Sequence, residues 1–201
     1  MGNTAGLARK AGAIFGLSCA VLIGAQDTAF ARVCPKPEAL RIDALASEFT
    51  QEKFLQGRDA PLISTGRFKV ADDTVVWHMT EPFDVETVIS PEGITQSIDG
   101  APAEAVAPGA AQFGARIATS MASLMRGRWD ELNSVFKVVV LPTSWKENWV
   151  VTLTPLDERL SNILGEITVR GCRDVETVSI VRGEGDREII RFGAVQKDAV
   201  Q

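Results

Sequence analysis

Between Ile63 and Ala71, the residues Ile63, Thr65, Arg67 and Lys69 alternate with Ser64, Gly66, Phe68 and Val70. A period of two is the mark of a strand with one face turned to a core. Asp72-Asp73 predicts a tight turn, and Thr74 to Thr80 a returning strand that Pro82 ends. Val85 to Ser90 and Ile94 to Ile98 read as two more strands, separated by the turn residues Pro91-Glu92-Gly93. The stretch from Ala101 to Gly109 is rich in alanine and proline, has no period, and reads as a loop. Strands resume over Ser134–Leu141, Asn148–Thr154, Leu164–Arg170, Val175–Arg182 and Arg187–Phe192, the last two joined by Gly183-Glu184-Gly185-Asp186. Short strands following one another at turn-separated intervals predict a meander. No βαβ rhythm interrupts them, so the sheet is expected to be antiparallel.

Three stretches depart from this period. Pro35 to Ala46 opens with prolines and sets Ile42, Leu45, Ala46 and Phe49 at helical spacing, which predicts a short amphipathic helix. Phe49 to Phe54 either continues it or begins a strand. From Ala110 to about Arg126 a clear helix is predicted, with Phe113, Ile117, Met121, Leu124 and Met125 on one stripe and Gly127 placed to cap it. Leu156 to Asn162 reads as a short helical turn. At the start of the chain, Arg9 and Lys10 precede an uncharged run from Ala11 to Ala25 and then Ala29-Phe30-Ala31. This is the order of a secretory signal peptide, with cleavage expected after Ala31 and a mature chain of residues 32–201. Leu17-Ser18-Cys19 is a poor lipid-attachment site, because Gly16 stands before it and Val21-Leu22-Ile23 continue the apolar run.

Composition narrows the function classes. The 201 residues are 45% hydrophobic and 23% charged, a globular balance, with a formal net charge of −5. A whole-protein basic surface for nucleic acid is excluded. One histidine, His78, excludes zinc sites built from several, and no metal or cofactor is expected. No Gly-x-Ser-x-Gly elbow or phosphate-cradling glycine loop is present. His78 lies between Trp77 and Met79 in a strand and reads as a rim residue; Asp72-Asp73 and Asp157-Glu158 read as solvated turns. An enzyme is therefore not expected. Two cysteines, Cys34 and Cys172, remain in the mature chain, and in an oxidising compartment two thiols are expected to pair. The large sheet offers an apolar inner face to the methionine-rich helix stripe. Period alone leaves open whether the two enclose a ligand cavity or a filled core.

Several segments together resemble the LolA family of periplasmic lipoprotein carriers. They are Phe49-Thr50-Gln51; Ser64-Thr65-Gly66-Arg67-Phe68; Trp77-His78-Met79-Thr80-x-Pro82; Thr87-Val88-Ile89-Ser90-x-x-Gly93-Ile94; Phe136-Lys137-Val138; Trp149 to Pro155; and Gly185-Asp186 with Ile190-x-Phe192. Their order and spacing fit across nearly all of residues 36–193. The resemblance implies a mainly β fold with α, an unclosed antiparallel half-barrel covered by helices, whose apolar interior holds acyl chains. It implies that residues 47–55 form the first strand. Phe113, Ile117, Met121 and Met125 would line the lid side of the hollow. Phe68, Trp77, Val88, Phe136, Trp149, Val151 and Leu153, or their alternating neighbours, would line its wall. The implied partners are a lipoprotein or another acylated lipid cargo, an inner-membrane transporter or exporter as donor, and an outer-membrane acceptor. The protein is expected to be a periplasmic monomer. A sensing module of the RseB type, without transport, is the alternative. One departure stands out: such carriers place an arginine in the turn before the tryptophan strand, and here that turn is Ala71-Asp72-Asp73-Thr74.

Overall fold

The computed structural model describes residue 2 and residues 33–40, 45–72, 74–90, 93–102, 116, 119–142, 147–182 and 185–197. The chain divides into Met1–Phe30 and Ala31–Gln201; every element named belongs to the second unit. Apart from residue 2, the expected leader, residues 1–31, lies outside the described residues.

Twelve strands form one antiparallel sheet. They are β1 (Leu45–Phe54), β2 (Leu62–Ala71), β3 (Thr74–Glu81), β4 (Val85–Ser90), β5 (Gly93–Ile98), β6 (Ala101–Pro102), β7 (Phe136–Leu141), β8 (Trp149–Pro155), β9 (Glu166–Gly171), β10 (Val175–Val181), β11 (Arg187–Phe192) and β12 (Gln196–Lys197). The order is β6-β5-β4-β3-β2-β1-β11-β10-β9-β8-β7, with β12 continuing β11 along β1. Consecutive strands pair except β6 with β7 and β11 with β12. β1 meets both β11 and β12, joining the first meander to the last, and β6 and β7 stand at the two ends without pairing to each other. The sheet is therefore unclosed.

Three helical elements accompany it: α1 (described at residues 119–125), α2 (Trp129–Leu132) and α3 (Glu158–Leu164). Of the predicted long helix, residues 116 and 119–125 are helical, and 110–115, 117 and 118 lie outside the described residues. Gly127 ends α1 as expected. With φ of 70° it lets its own N–H reach Leu124 O at 3.1 Å and that of Arg128 reach Ser123 O at 2.8 Å, satisfying two orphan carbonyls. Asp157 caps α3 by accepting the Leu160 N–H at 3.1 Å.

The predicted helix over Pro35–Ala46 is corrected. Among its described residues Pro37–Ala39 make a 3₁₀ turn, and Leu45 already begins β1, which pairs with β2 from Leu45 and with β11 from Phe49. Residues 33–40 instead form a strap. The disulfide Cys34–Cys172 fixes one end to the sheet. Trp129 Nε1 donates to Pro37 O at 2.7 Å, and Leu40 is buried close against Gly127.

The inner face can be followed strand by strand from the register. Ser47 pairs with Phe68 and Phe68 with Trp77; Phe49 pairs with Gly66 and with Phe192; Trp149, Val151 and Leu153 pair with Gly171, Val169 and Ile167. These side chains and Val70, Val75, Val178, Ile180 and Ile190 make one core with Leu124, Met125, Trp129 and Leu132. Four aromatic rings knit its centre: Phe49–Trp77 at 4.1 Å, Phe68–Trp77 at 5.4 Å, and Phe68–Phe192 at 5.8 Å between centroids. One carboxylate, Glu188, is buried on this face. Gln51 Nε2 donates to it at 2.6 Å and Arg182 Nη2 at 2.8 Å, so its oxygens are paired.

Candidate ligand-binding face

The inner face has two unlike parts. Along β1, β2 and β7–β11 most of its apolar side chains are buried in one core with residues of α1, α2 and the strap, while Val138 is partly buried and Val140 exposed. Along β3, β4 and β5 the same face continues through Trp77, Met79, Val85, Ile89, Ile94 and Ile98. Register makes these one surface: Met79 pairs with Val85, Val85 with Ile98, and Ile89 with Ile94. None of the six is fully buried, and Ile98 is 47% exposed. Trp77, Met79 and Ile89 touch the core with one side while keeping solvent contact on the other. The result is an apolar wing continuous with the core. Thr87 and Gln96, paired across β4 and β5, are its polar members, and Gln96 donates to Thr87 Oγ1 at 3.2 Å.

The residues singled out from sequence fall into four groups. Trp77 and Met121 are partly buried against the core, at its boundary with solvent. Phe68, Met125, Phe136, Trp149 and Val151 are buried through and through, as is Leu153. They are core in this structure, since side chains without exposed surface have no room left for a ligand. Val88 is corrected outright. It pairs with Val76 and shares the reverse face with His78 and Glu86, because Trp77 pairs with Thr87 and the next residue must point the other way. Ile89 takes the inner place. Phe113 and Ile117 lie outside the described residues. Sequence analysis did not single out Met79, Val85, Ile94 and Ile98, and admitted Ile89 only as the alternating neighbour of Val88; the signal available was the alternation Val85-x-Thr87-x-Ile89, read in the parity that Trp77 sets.

Arg126, 4% exposed at the end of α1, donates through Nη2 to the carbonyl of Asp72 in the β2–β3 turn. This charge-assisted bond ties α1 to the sheet beside the wing. Replacing Arg126 with methionine keeps the volume and removes the donor. It is expected to destabilise the fold by about 2 kcal/mol, the usual contribution of a hydrogen bond from a charged group, measured by urea unfolding.

The reverse face of the sheet carries a hollow of about 650 Å³. Its lining holds two acidic residues, Glu48 and Glu86, and two basic ones, Arg67 and Lys69, with Glu48 opposite Arg67, Arg67 opposite His78 and His78 opposite Glu86. Balanced signs give no net attraction to a charged ligand. His78 Nε2 lies 3.0 Å from Asp84 Oδ1, an exposed surface pair. Among the described residues, no group of three His, Cys, Asp or Glu side chains is placed to hold a metal ion, and no helix is long and apolar enough to cross a membrane.

No family model matches the chain, and no curated protein matches it in sequence. Solved structures do. One is a domain described as an outer membrane lipoprotein-sorting protein from Vibrio parahaemolyticus, at 11% identity and a TM-score of 0.33, covering 78% of this chain and 86% of that one. Another is a DUF1329 family protein from Desulfovibrio piger, at 8% identity and a TM-score of 0.37, covering 80% and 88%. All these TM-scores are low, so function is read from the chain's own geometry. A third match, at 7% identity, a TM-score of 0.43 and coverage of 82% and 91%, is a LolA superfamily protein from Nitrosomonas europaea.

Proposed function

We propose that this protein is a periplasmic carrier that shields the acyl chains of a lipoprotein or another lipidated molecule and passes it toward the outer membrane. The observation that carries the reading is the partly exposed apolar wing of β3–β5, continuous with a packed core. A ligand that covers Met79, Val85, Ile89, Ile94 and Ile98 removes apolar surface from water on both sides of the contact. Each methylene so buried contributes about 0.8 kcal/mol, and a flexible chain fits the shallow curvature of a sheet better than a rigid ring system. Sequence adds the leader of an exported protein and the ordered LolA-like segments. The donor is an inner-membrane transporter or exporter; transfer follows from the acceptor's greater affinity, not from chemistry in the carrier. The bond from Arg126 to the Asp72 carbonyl is a contact that opening of α1 would break.

The test compares the two faces of one strand. A fluorescent fatty acid is titrated into the wild-type protein, Ile94→Glu and Thr95→Glu. Ile94 belongs to the wing, and Thr95 points to the reverse face. Saturable binding to the wild type, weakened at least tenfold by Ile94→Glu and unchanged by Thr95→Glu, is expected. Equal binding by all three would place the acyl site elsewhere.

A further inference from the structure

The apolar wing has a polar break at its centre. On the inner face of β4 the order is Val85, Thr87, Ile89, and on that of β5 it is Ile94, Gln96, Ile98. Pairing sets Val85 opposite Ile98, Thr87 opposite Gln96 and Ile89 opposite Ile94. One polar pair therefore lies between two apolar pairs. From Val85 to Ile89 the wing runs for about 13 Å along the strand, with the break halfway. No charged side chain shares this surface.

The pair is incompletely used within the chain. Gln96 Nε2 donates to Thr87 Oγ1 at 3.2 Å. That bond leaves Thr87 its O–H, and it leaves Gln96 its Oε1 and a second N–H. Among the described residues no other hydrogen bond reaches either side chain. Gln96 is exposed and Thr87 partly buried, so water serves the spare groups while the wing is open. A plain hydrocarbon laid over the wing expels that water and leaves each spare group buried without a partner, which is unfavourable.

A ligand that avoids this loss carries apolar matter on both sides of a group that accepts and donates at once. A secondary amide does so. Its C=O accepts from the Thr87 O–H, and its N–H donates to Gln96 Oε1. In a trans amide these two point to opposite sides of the chain, as Thr87 and Gln96 flank a chain lying between β4 and β5. An ester accepts but has no proton to give, so Gln96 Oε1 stays unpaired. A carboxylate also only accepts, and it brings a charge that this uncharged surface does not neutralise.

We propose that Thr87 and Gln96 are the specificity-determining pair of the wing and select a chain joined through a secondary amide, so that the cargo is N-acylated and not O-acylated. This deepens the carrier reading and rests on it.

The test uses competitors matched in chain length: N-butyldecanamide, its N-methylated tertiary amide, and butyl decanoate. Each displaces the fluorescent fatty acid from the wild type, Gln96→Leu, Thr87→Val and Thr95→Val, the last a control on the reverse face. The wild type and Thr95→Val are expected to bind the secondary amide about fivefold more tightly than the ester or the tertiary amide, the worth of one added hydrogen bond. Gln96→Leu is expected to erase that preference and to hold the ester no less tightly than the wild type does. Thr87→Val is expected to weaken all three together, because each presents a carbonyl. If a variant does not fold, the wild type's ranking of the three competitors decides. No preference for the secondary amide, or a preference that survives in Gln96→Leu, would overturn the proposal and leave the carrier reading standing. No binding of the fluorescent fatty acid would overturn both.

Discussion

Gly66→Ala is expected to destabilise the protein by about 4 kcal/mol, beyond the usual range for overpacking. Gly66 sits on the inner face of β2, where Phe49 pairs with it from β1 and Met79 from β3. A Cβ there would fall inside the contact distance of the His78 carbonyl oxygen and within 2.8 Å of both Met79 Cα and Phe49 Cζ. Two of these three are backbone, drawn close by the register shift between Thr65 and Gly66. They yield only if β3 parts from β2. The third is the ring that stacks on Trp77 at 4.1 Å, so any retreat of Phe49 loosens the aromatic centre of the core. Urea unfolding of the single variant measures the cost. A midpoint within about 1 kcal/mol of wild type would mean that β2 and β3 are not packed this closely.

Loss of the Cys34–Cys172 bridge is expected to cost about 4–5 kcal/mol in the chain-entropy account, because the bond spans a loop of 138 residues. For a chain of this size that corresponds to a fall in melting temperature of about 10–20 °C. Cys172 is fully buried, so the paired variant Cys34→Ala with Cys172→Ala avoids burying a hydroxyl. The strap would still hold to Trp129 through Pro37 O, at 2.7 Å, and through Leu40. The variant should therefore fold, with a lowered melting temperature. A shift of only about 2 °C on reduction, which is under 1 kcal/mol, would contradict the bridge's structural role.

The strands were legible because their alternation is clean. Phe68 and Val70 against Arg67 and Lys69 settle both the strand and its face. β1 was ambiguous for a physical reason. Leu45, Ser47 and Phe49 share one face, but the middle residue is polar, buried because its Oγ bonds to Glu48 O at 2.9 Å and Gly193 O at 3.2 Å. A buried serine hides a period of two, and Ile42, Leu45, Ala46 and Phe49 then read as a helix. β6 and β12 have two residues each and no period at all. On the candidate face, Val88-Ile89 are both apolar, so the sequence could not tell which points inward; only the pairing of Trp77 with Thr87 does. Nor does periodicity separate Val151, sealed in the core, from Ile98, open to solvent. That difference depends on how far α1, α2 and the strap reach across the sheet, a matter of tertiary packing that no local pattern encodes.

The carrier account stands or falls on whether the exported protein holds an acyl chain. The full chain is expressed for export, purified from periplasm without detergent, and its intact mass is measured under native and then denaturing conditions. The account predicts a native mass above that of residues 32–201, with the excess removed by organic extraction and identified as acylated molecules. A native mass equal to the polypeptide alone, with no uptake of added lipid, would contradict it.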